Sequence, residues 1–110
     1  MWWMFEVMTS MGVSPETVTA SGGASQSVLW MQILADIFKC PVMVSDQEEA
    51  ACFGAALIAG IGSEVYESYW DAAKLVKKPV RTFEPDEKNS VWYDGQFEMF
   101  KKVYHELYNV

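Results

Sequence analysis

Two short β-forming runs, Thr17-Val18-Thr19-Ala20 and Pro41-Val42-Met43-Val44, bracket a stretch of helical periodicity, and a glycine pair, Gly22-Gly23, separates the first run from the helix. Few folds accommodate that order. Two strands joined through a helix pair in parallel, and the crossover is right-handed because a twisted strand feeding a right-handed helix packs back onto its sheet only that way. Inside the bracket, Val28, Leu29, Met31, Ile33, Leu34, Ile37 and Phe38 predict a helix over 25–39 with a broad apolar face and Lys39 at the negative end of its dipole. Pro41 has no N–H to donate to a ladder and therefore belongs at a strand's first position.

The flanking segments extend this unit. Trp2, Met4, Phe5, Met8 and Met11 recur at threes and fours, predicting an amphipathic helix over 2–11 that Gly12 stops. After the second strand, Ser45-Asp46 reads as a cap, and Glu48-Glu49 place negative charge where the first turn of a helix leaves N–H groups free. That helix, over 48–61, carries Ala50, Ala51, Gly54, Ala55, Ala56, Ala59 and Gly60, so another backbone can lie very close to one side of it. Residues 63–76 read as one or two short helical turns anchored by Tyr66, Tyr69 and Trp70. Val80-Arg81-Thr82-Phe83 suits a short edge strand. A last helix, entered through Glu84-Pro85-Asp86-Glu87, runs to Tyr108 with Trp92, Tyr93, Phe97, Phe100, Val103, Tyr104, Leu107 and Tyr108 on its apolar side. Lys101, Lys102, His105 and Glu106 fall on its solvated side.

At 110 residues and 51% hydrophobic composition the chain suits one domain with a real core. A formal net charge of -7 repels phosphate polymers and anionic lipid heads, which argues against nucleic-acid and membrane partners. The longest apolar runs fall short of the roughly 20 residues that span a bilayer. Cys40 and Cys52 stand apart without CxxC or Cys/His spacing, so reduced thiols and a cytoplasmic setting are expected, with no zinc site. Seven Met and five Trp form a large, adaptable apolar inventory that a domain of this size does not fully bury.

Gly22-Gly23 admits two readings. The pair permits positive φ and close backbone approach, and the following helix aims unpaired N–H groups at whatever sits there, which suits a phosphate or ribose. Alternatively it is only a tight strand-to-helix corner. The segment SGGASQS completes neither GxGxxG nor a Walker loop. The hydroxyls of Ser21, Ser25 and Ser27 suit a ligand or a helix cap equally. Asp46, Glu48 and Glu49 are explained by helix-dipole complementarity, and His105 has no Ser or Cys partner in view, so neither metal ligands nor catalytic residues are assigned.

In series, these segments resemble a known family. The stretch TASGGASQSVLWMQILADIFKCPVMVSDQEEAACFGAALIAG is similar to the C-terminal ATPase-fold domain of the FGGY family of carbohydrate kinases. That family has a strand, a Gly-Gly-Gly/Ala turn, a helix like LWxQILAD, a strand like PVxV and a helix like ExxAxGAAxLAG. The tail, from EVYESYWDAA to FKKVYHELY, is similar to the xylulokinase-like end of such proteins. The resemblance implies an α/β fold, part of an actin, Hsp70 and hexokinase-like ATPase domain (ribonuclease H-like), with short parallel strands and helices. It implies that residues 1–110 form part of an adenosine-binding C-terminal domain. Gly22, Gly23 and Ala24 would contact adenosine and the nearby phosphate through the backbone, and Ser27 would stand near the base. Ala24 replaces a frequent third glycine, Ser25 a usual alanine, and Ser27 a longer asparagine of some relatives. The small-residue helix would pack behind the turn.

The same resemblance implies ATP and Mg2+ as cofactors and a ketose or related sugar, xylulose foremost, as substrate of an intact kinase. The general base, phosphate loops and most of the sugar site would belong to an N-terminal domain outside these residues, so the 110-residue chain alone is expected to be inactive. A second expectation, from another class, is a non-catalytic module that binds a partner or forms a homo-oligomer through Met- and Trp-rich surfaces such as MWWMFEVM.

Overall fold

The computed structural model describes residues 2–45 and 49–108. The chain opens with helix α1 (Trp2–Ser10) and enters strand β1 (Val18–Ala20). A 3₁₀ turn (Gly23–Gln26) leads into α2 (Val28–Phe38), and β2 (Val42–Val44) returns alongside β1. Then follow α3 (Ala50–Gly62), α4 (Tyr69–Ala73), β3 (Arg81–Phe83) and α5 (Glu87–Tyr108).

β2 is the central strand. It pairs in parallel with β1, Val18 opposite Val42 and Ala20 opposite Val44, and antiparallel with β3, Val42 opposite Phe83 and Val44 opposite Arg81. The β-helix-β reading and the edge strand over 80–83 therefore hold, and the third strand makes the sheet mixed. Val42 and Val44 point into the core while Met43 is only half-buried, the period-2 alternation of a sheet with one well-covered face. Against that face α2 contributes Met31, Ala35 and Phe38, and Cys40 and Phe83 complete the cluster. Burial raises the Cys40 thiol above its ordinary pKa, which keeps it protonated and unreactive.

α1 ends as its sequence predicts. Gly12 takes φ +85°; its N–H donates to Thr9 O at 3.0 Å and the N–H of Val13 to Met8 O at 3.1 Å, the paired bonds that close a helix through a left-handed glycine. Phe5 stacks on Phe38 with centroids 4.6 Å apart, and Trp2 stacks on Phe97 at 4.5 Å, so α1 bridges α2 and α5.

One buried carboxylate locks α5 against α2. Asp36 is 2% exposed. Its Oδ1 accepts from Gln32 Nε2 at 2.8 Å and from the Asp86 N–H at 2.7 Å, and its Oδ2 accepts from Asn89 Nδ2 at 3.1 Å. Ser90, also buried, donates its hydroxyl to the Asp36 carbonyl at 2.7 Å. Asp86 in turn caps α5, accepting from the N–H groups of Lys88 and Asn89 at 2.9 and 3.2 Å.

Several expectations need correction. α3 has no buried residue, and its principal neighbour is α4 rather than the glycine turn, so its small-residue side is largely open. The close approach that its small residues permit occurs at Gly60, where an added Cβ would overlap the ring of Tyr66. Tyr69 and Trp70 are not anchors: they are 70% and 82% exposed, and Ala72 is the buried residue of α4. Most of the last helix's apolar side is open as well; Phe97 is buried and Tyr93 half-buried, but Trp92, Phe100, Val103, Leu107 and Tyr108 are exposed. Lys101 is not solvated; it bonds Glu98 at 2.7 Å and Glu6 at 3.1 Å and lies over the Phe97 ring, and these carboxylates raise its pKa. His105 meets the Trp3 ring edge-on at 6.1 Å. Asp46 and Glu48 lie outside the described residues. Glu49 is described, precedes α3 in a left-handed conformation and makes no side-chain cap.

Candidate functional site: the glycine corner

The corner begins where the β1–β2 ladder ends, at the bond from the Ser45 N–H to Ala20 O (3.2 Å). Gly22 then adopts φ +89°, ψ −172°, a conformation strained for an L side chain. The chain does not enter α2 directly, as a helix over 25–39 would require. It first winds one 3₁₀ turn whose lock is Ser25, 2% exposed, which donates both its hydroxyl (2.6 Å) and its N–H (3.1 Å) to the Gly22 carbonyl. Ser25 is thus a structural residue and not a ligand contact. Its role was not legible because a serine bonding three residues back leaves no periodic signal.

Ser27 starts α2. Its N–H donates to Ala24 O at 3.1 Å, and its Oγ accepts from the Trp30 N–H at 3.2 Å, a standard N-cap. Capping uses a lone pair of Oγ and leaves the hydroxyl proton able to donate elsewhere.

The candidate residues lie on the open side of the corner, together with Ser21 and Gln26. Gly22, Gly23, Ala24 and Ser27 are all exposed. No atom lies within 4 Å of where a Cβ would stand on Gly22 or Gly23. Ser25 is the first bonded donor of the 3₁₀ turn, and among the described residues the N–H groups of Gly23 and Ala24 donate no hydrogen bond. The corner therefore turns the amides of Ser25 and Ser27 inward, onto the Gly22 and Ala24 carbonyls, while presenting bare main chain with the free amides of Gly23 and Ala24 beside them. Such a surface suits an anionic or polar group that needs close backbone approach.

The first 63 residues, which contain this corner, match the C-terminal domain of the FGGY family of carbohydrate kinases. The chain belongs to that family. Relatives outside the chain agree. It is 35% identical over 87 residues to the L-xylulose/3-keto-L-gulonate kinase of Escherichia coli (strain K12), an alignment covering 79% of this chain and 18% of the relative. It is 33% identical over 93 residues to the autoinducer-2 kinase of Enterobacter sp. (strain 638), covering 84% and 18%. The crystal structure of xylulose kinase from Rhodospirillum rubrum superposes with a TM-score of 0.78 at 27% identity, covering 98% of this chain and 22% of that one. The chain thus spans less than a fifth of the length of these two curated relatives. Its fold is part of the actin/hexokinase-like ATPase architecture, as the resemblance implied. Among the described residues no group of three or more His, Cys, Asp or Glu is placed to hold a metal ion. No helix among them is long and apolar enough to cross a membrane.

Proposed function

We propose that this chain is the adenosine-binding part of an ATP-dependent sugar kinase of the cytoplasm, acting on a ketose or related sugar, with xylulose foremost. The observation that carries this reading is the glycine corner: Gly22 at positive φ, no atom near the missing Cβ of Gly22 or Gly23, and the free N–H groups of Gly23 and Ala24. Those features fit the sugar-phosphate side of adenosine, which needs bare backbone and donors. Gly22, Gly23 and Ala24 would hold it through main chain, and Ser27 would add its remaining hydroxyl proton near the base. When bound, ATP would supply the phosphoryl group and Mg2+ would neutralise charge on its oxygens. This chain's share of the work is binding and orientation; no catalytic base is assigned to it. The carbohydrate-kinase family supports a sugar acceptor, and the relatives are named for different acceptors, L-xylulose or 3-keto-L-gulonate and autoinducer-2, so the preference for xylulose rests on the likeness of fold and tail.

Titrating the isotope-labelled chain with Mg-ATP while following amide resonances tests the site. The amides from Gly22 to Ser27 shift and saturate at millimolar nucleotide. Gly23→Val, which adds its bulk into open space at a position without positive φ, leaves the fold intact and abolishes those shifts. Resonances at the corner that stay still while others move would refute the site.

A further inference from the structure

The peptide between Gly22 and Gly23 is the one link of the chain with a glycine on each side. A peptide plane turns over when ψ of the residue before it and φ of the residue after it each rotate by about 180°, with the rest of the chain left in place. At Gly22 such a flip keeps φ at +89° and carries ψ from −172° to about 0°, the conformation of the third residue of a type II turn, which glycine adopts readily. Gly23, which lies outside the positive-φ region, moves into it, again without penalty for a residue that has no Cβ. Sterics therefore permit both orientations of this plane.

The two orientations offer opposite chemistry, because the Gly22 carbonyl and the Gly23 N–H share the plane and point in opposite directions. With the carbonyl turned in, the corner shows a donor to an incoming group; with the carbonyl turned out, it shows an acceptor that repels a phosphate oxygen. Ser25 decides between them. It is 2% exposed, and its hydroxyl at 2.6 Å and its N–H at 3.1 Å both donate to Gly22 O. Turning the plane over strands both donors in a buried place, and a stranded donor costs more than an ordinary hydrogen bond contributes. With alanine at this position only the backbone bond would be lost. Both bonds lie within Gly22–Ser25, so the lock needs nothing outside this chain. We propose that Ser25 is the positioning residue of the corner: through the Gly22 carbonyl it aims the Gly23 N–H outward, and so selects an anionic oxygen over a cation or a donor. That the oxygen belongs to the sugar-phosphate side of adenosine rests on the nucleotide reading above; the control of the peptide plane does not.

Amide relaxation dispersion and residual dipolar couplings on the isotope-labelled full chain test this, with unchanged β2 resonances marking each variant as folded. The unsubstituted chain shows one orientation of the Gly22–Gly23 plane and no exchange at Gly23. Ser25→Ala admits the second orientation, so the Gly23 amide shows microsecond-to-millisecond exchange, while faster flipping registers as an averaged dipolar coupling. Saturating Mg-ATP quenches the exchange because it binds one orientation, and affinity falls about threefold, the loss expected when about a third of the molecules are competent. Adding Gly23→Ala to Ser25→Ala bars the second orientation through its Cβ, with no atom within 4 Å to oppose the methyl, and the exchange disappears although the hydroxyl is still missing. That rescue separates control of one peptide plane from general loosening of the turn. A Gly23 amide that keeps a single orientation in Ser25→Ala, exchange that survives Gly23→Ala, or equal Mg-ATP affinity with and without the hydroxyl would overturn the positioning role. Exchange of the expected kind at a corner whose amides never respond to Mg-ATP would overturn the adenosine reading alone and support the lock.

Discussion

Helices α2 and α3 each follow a strand of the same sheet and are built almost wholly from apolar residues, yet four residues of α2 are buried and none of α3 is. α2 lies between the sheet, α1 and α5, and it presents large side chains such as Met31 and Phe38 to them. α3 has α4 for its main neighbour and offers alanine and glycine, whose removal from water yields little because the gain scales with apolar area. Apolar composition alone therefore does not tell which helix holds the fold together; the size of the side chains and what lies across from them do.

The comparison is broken most directly by trimming one side chain in each helix. Met31→Ala, at a site 1% exposed, should cost about 2–5 kcal/mol by chemical denaturation, whereas Ile58→Ala in α3, 64% exposed, should stay within about 0.5 kcal/mol. Equal losses would mean that α3 is as well packed as α2. Next comes the polar side of α2. Asp36→Ala strands the donors of Gln32, Asn89 and the Asp86 N–H, and a loss of about 2–4 kcal/mol is expected, with hydrogen exchange accelerated first at the start of α5.

Within α3 the same substitution should change sign between two sites. Gly54→Ala, where no atom lies within 4 Å of the new methyl, should stabilise by up to about 1 kcal/mol. Gly60→Ala drives that methyl into Tyr66 and should destabilise by about 1–2 kcal/mol, with Tyr66→Ala in the same chain removing the clash. Thermal melts of the three variants decide it. The smallest effect concerns α4. The hydrogen bond from Lys74, aided by Ser68, lowers the pKa of Asp71, so its contribution is complete above the ordinary aspartate range and is lost as pH falls through the lowered value. Because Asp71 is only half-buried and its ion pair with Lys74 is open to water, an acid titration should show only a slight loosening of α4, absent in Asp71→Asn.

These contrasts also mark where the sequence was sufficient. The order of elements and the three strands followed from β-branched runs, helical periodicity and Gly12, all of which act within a few residues. The glycine pair was legible as a break between strand and helix, while its two readings, a gap for a ligand or only a tight corner, stayed open in the sequence. What stayed hidden depends on neighbours distant in the chain. Asp36 sits in an apolar run with no visible partner until α5, fifty residues later, sets the Asp86 N–H and Asn89 against it. Lys101 had no reason to leave solvent until Glu6 arrived from the other end. Tyr69 and Trp70 had the bulk of anchors but no surface opposite them. Ser25 was hidden for the opposite reason, since its bond is so local that it mimics an ordinary turn.

The backbone at Gly22, φ +89° and ψ −172°, is the reflection of an extended conformation that L residues adopt freely. Handedness can therefore separate two roles that this residue combines, bending the chain and leaving room beside it. A D-alanine introduced by chemical ligation would occupy its own preferred basin and keep the bend while adding a methyl group, whereas L-alanine would add the methyl and oppose the bend. If the corner binds nucleotide as proposed, affinity compared across glycine, D-alanine and L-alanine at this position would apportion its contribution between chirality and clearance.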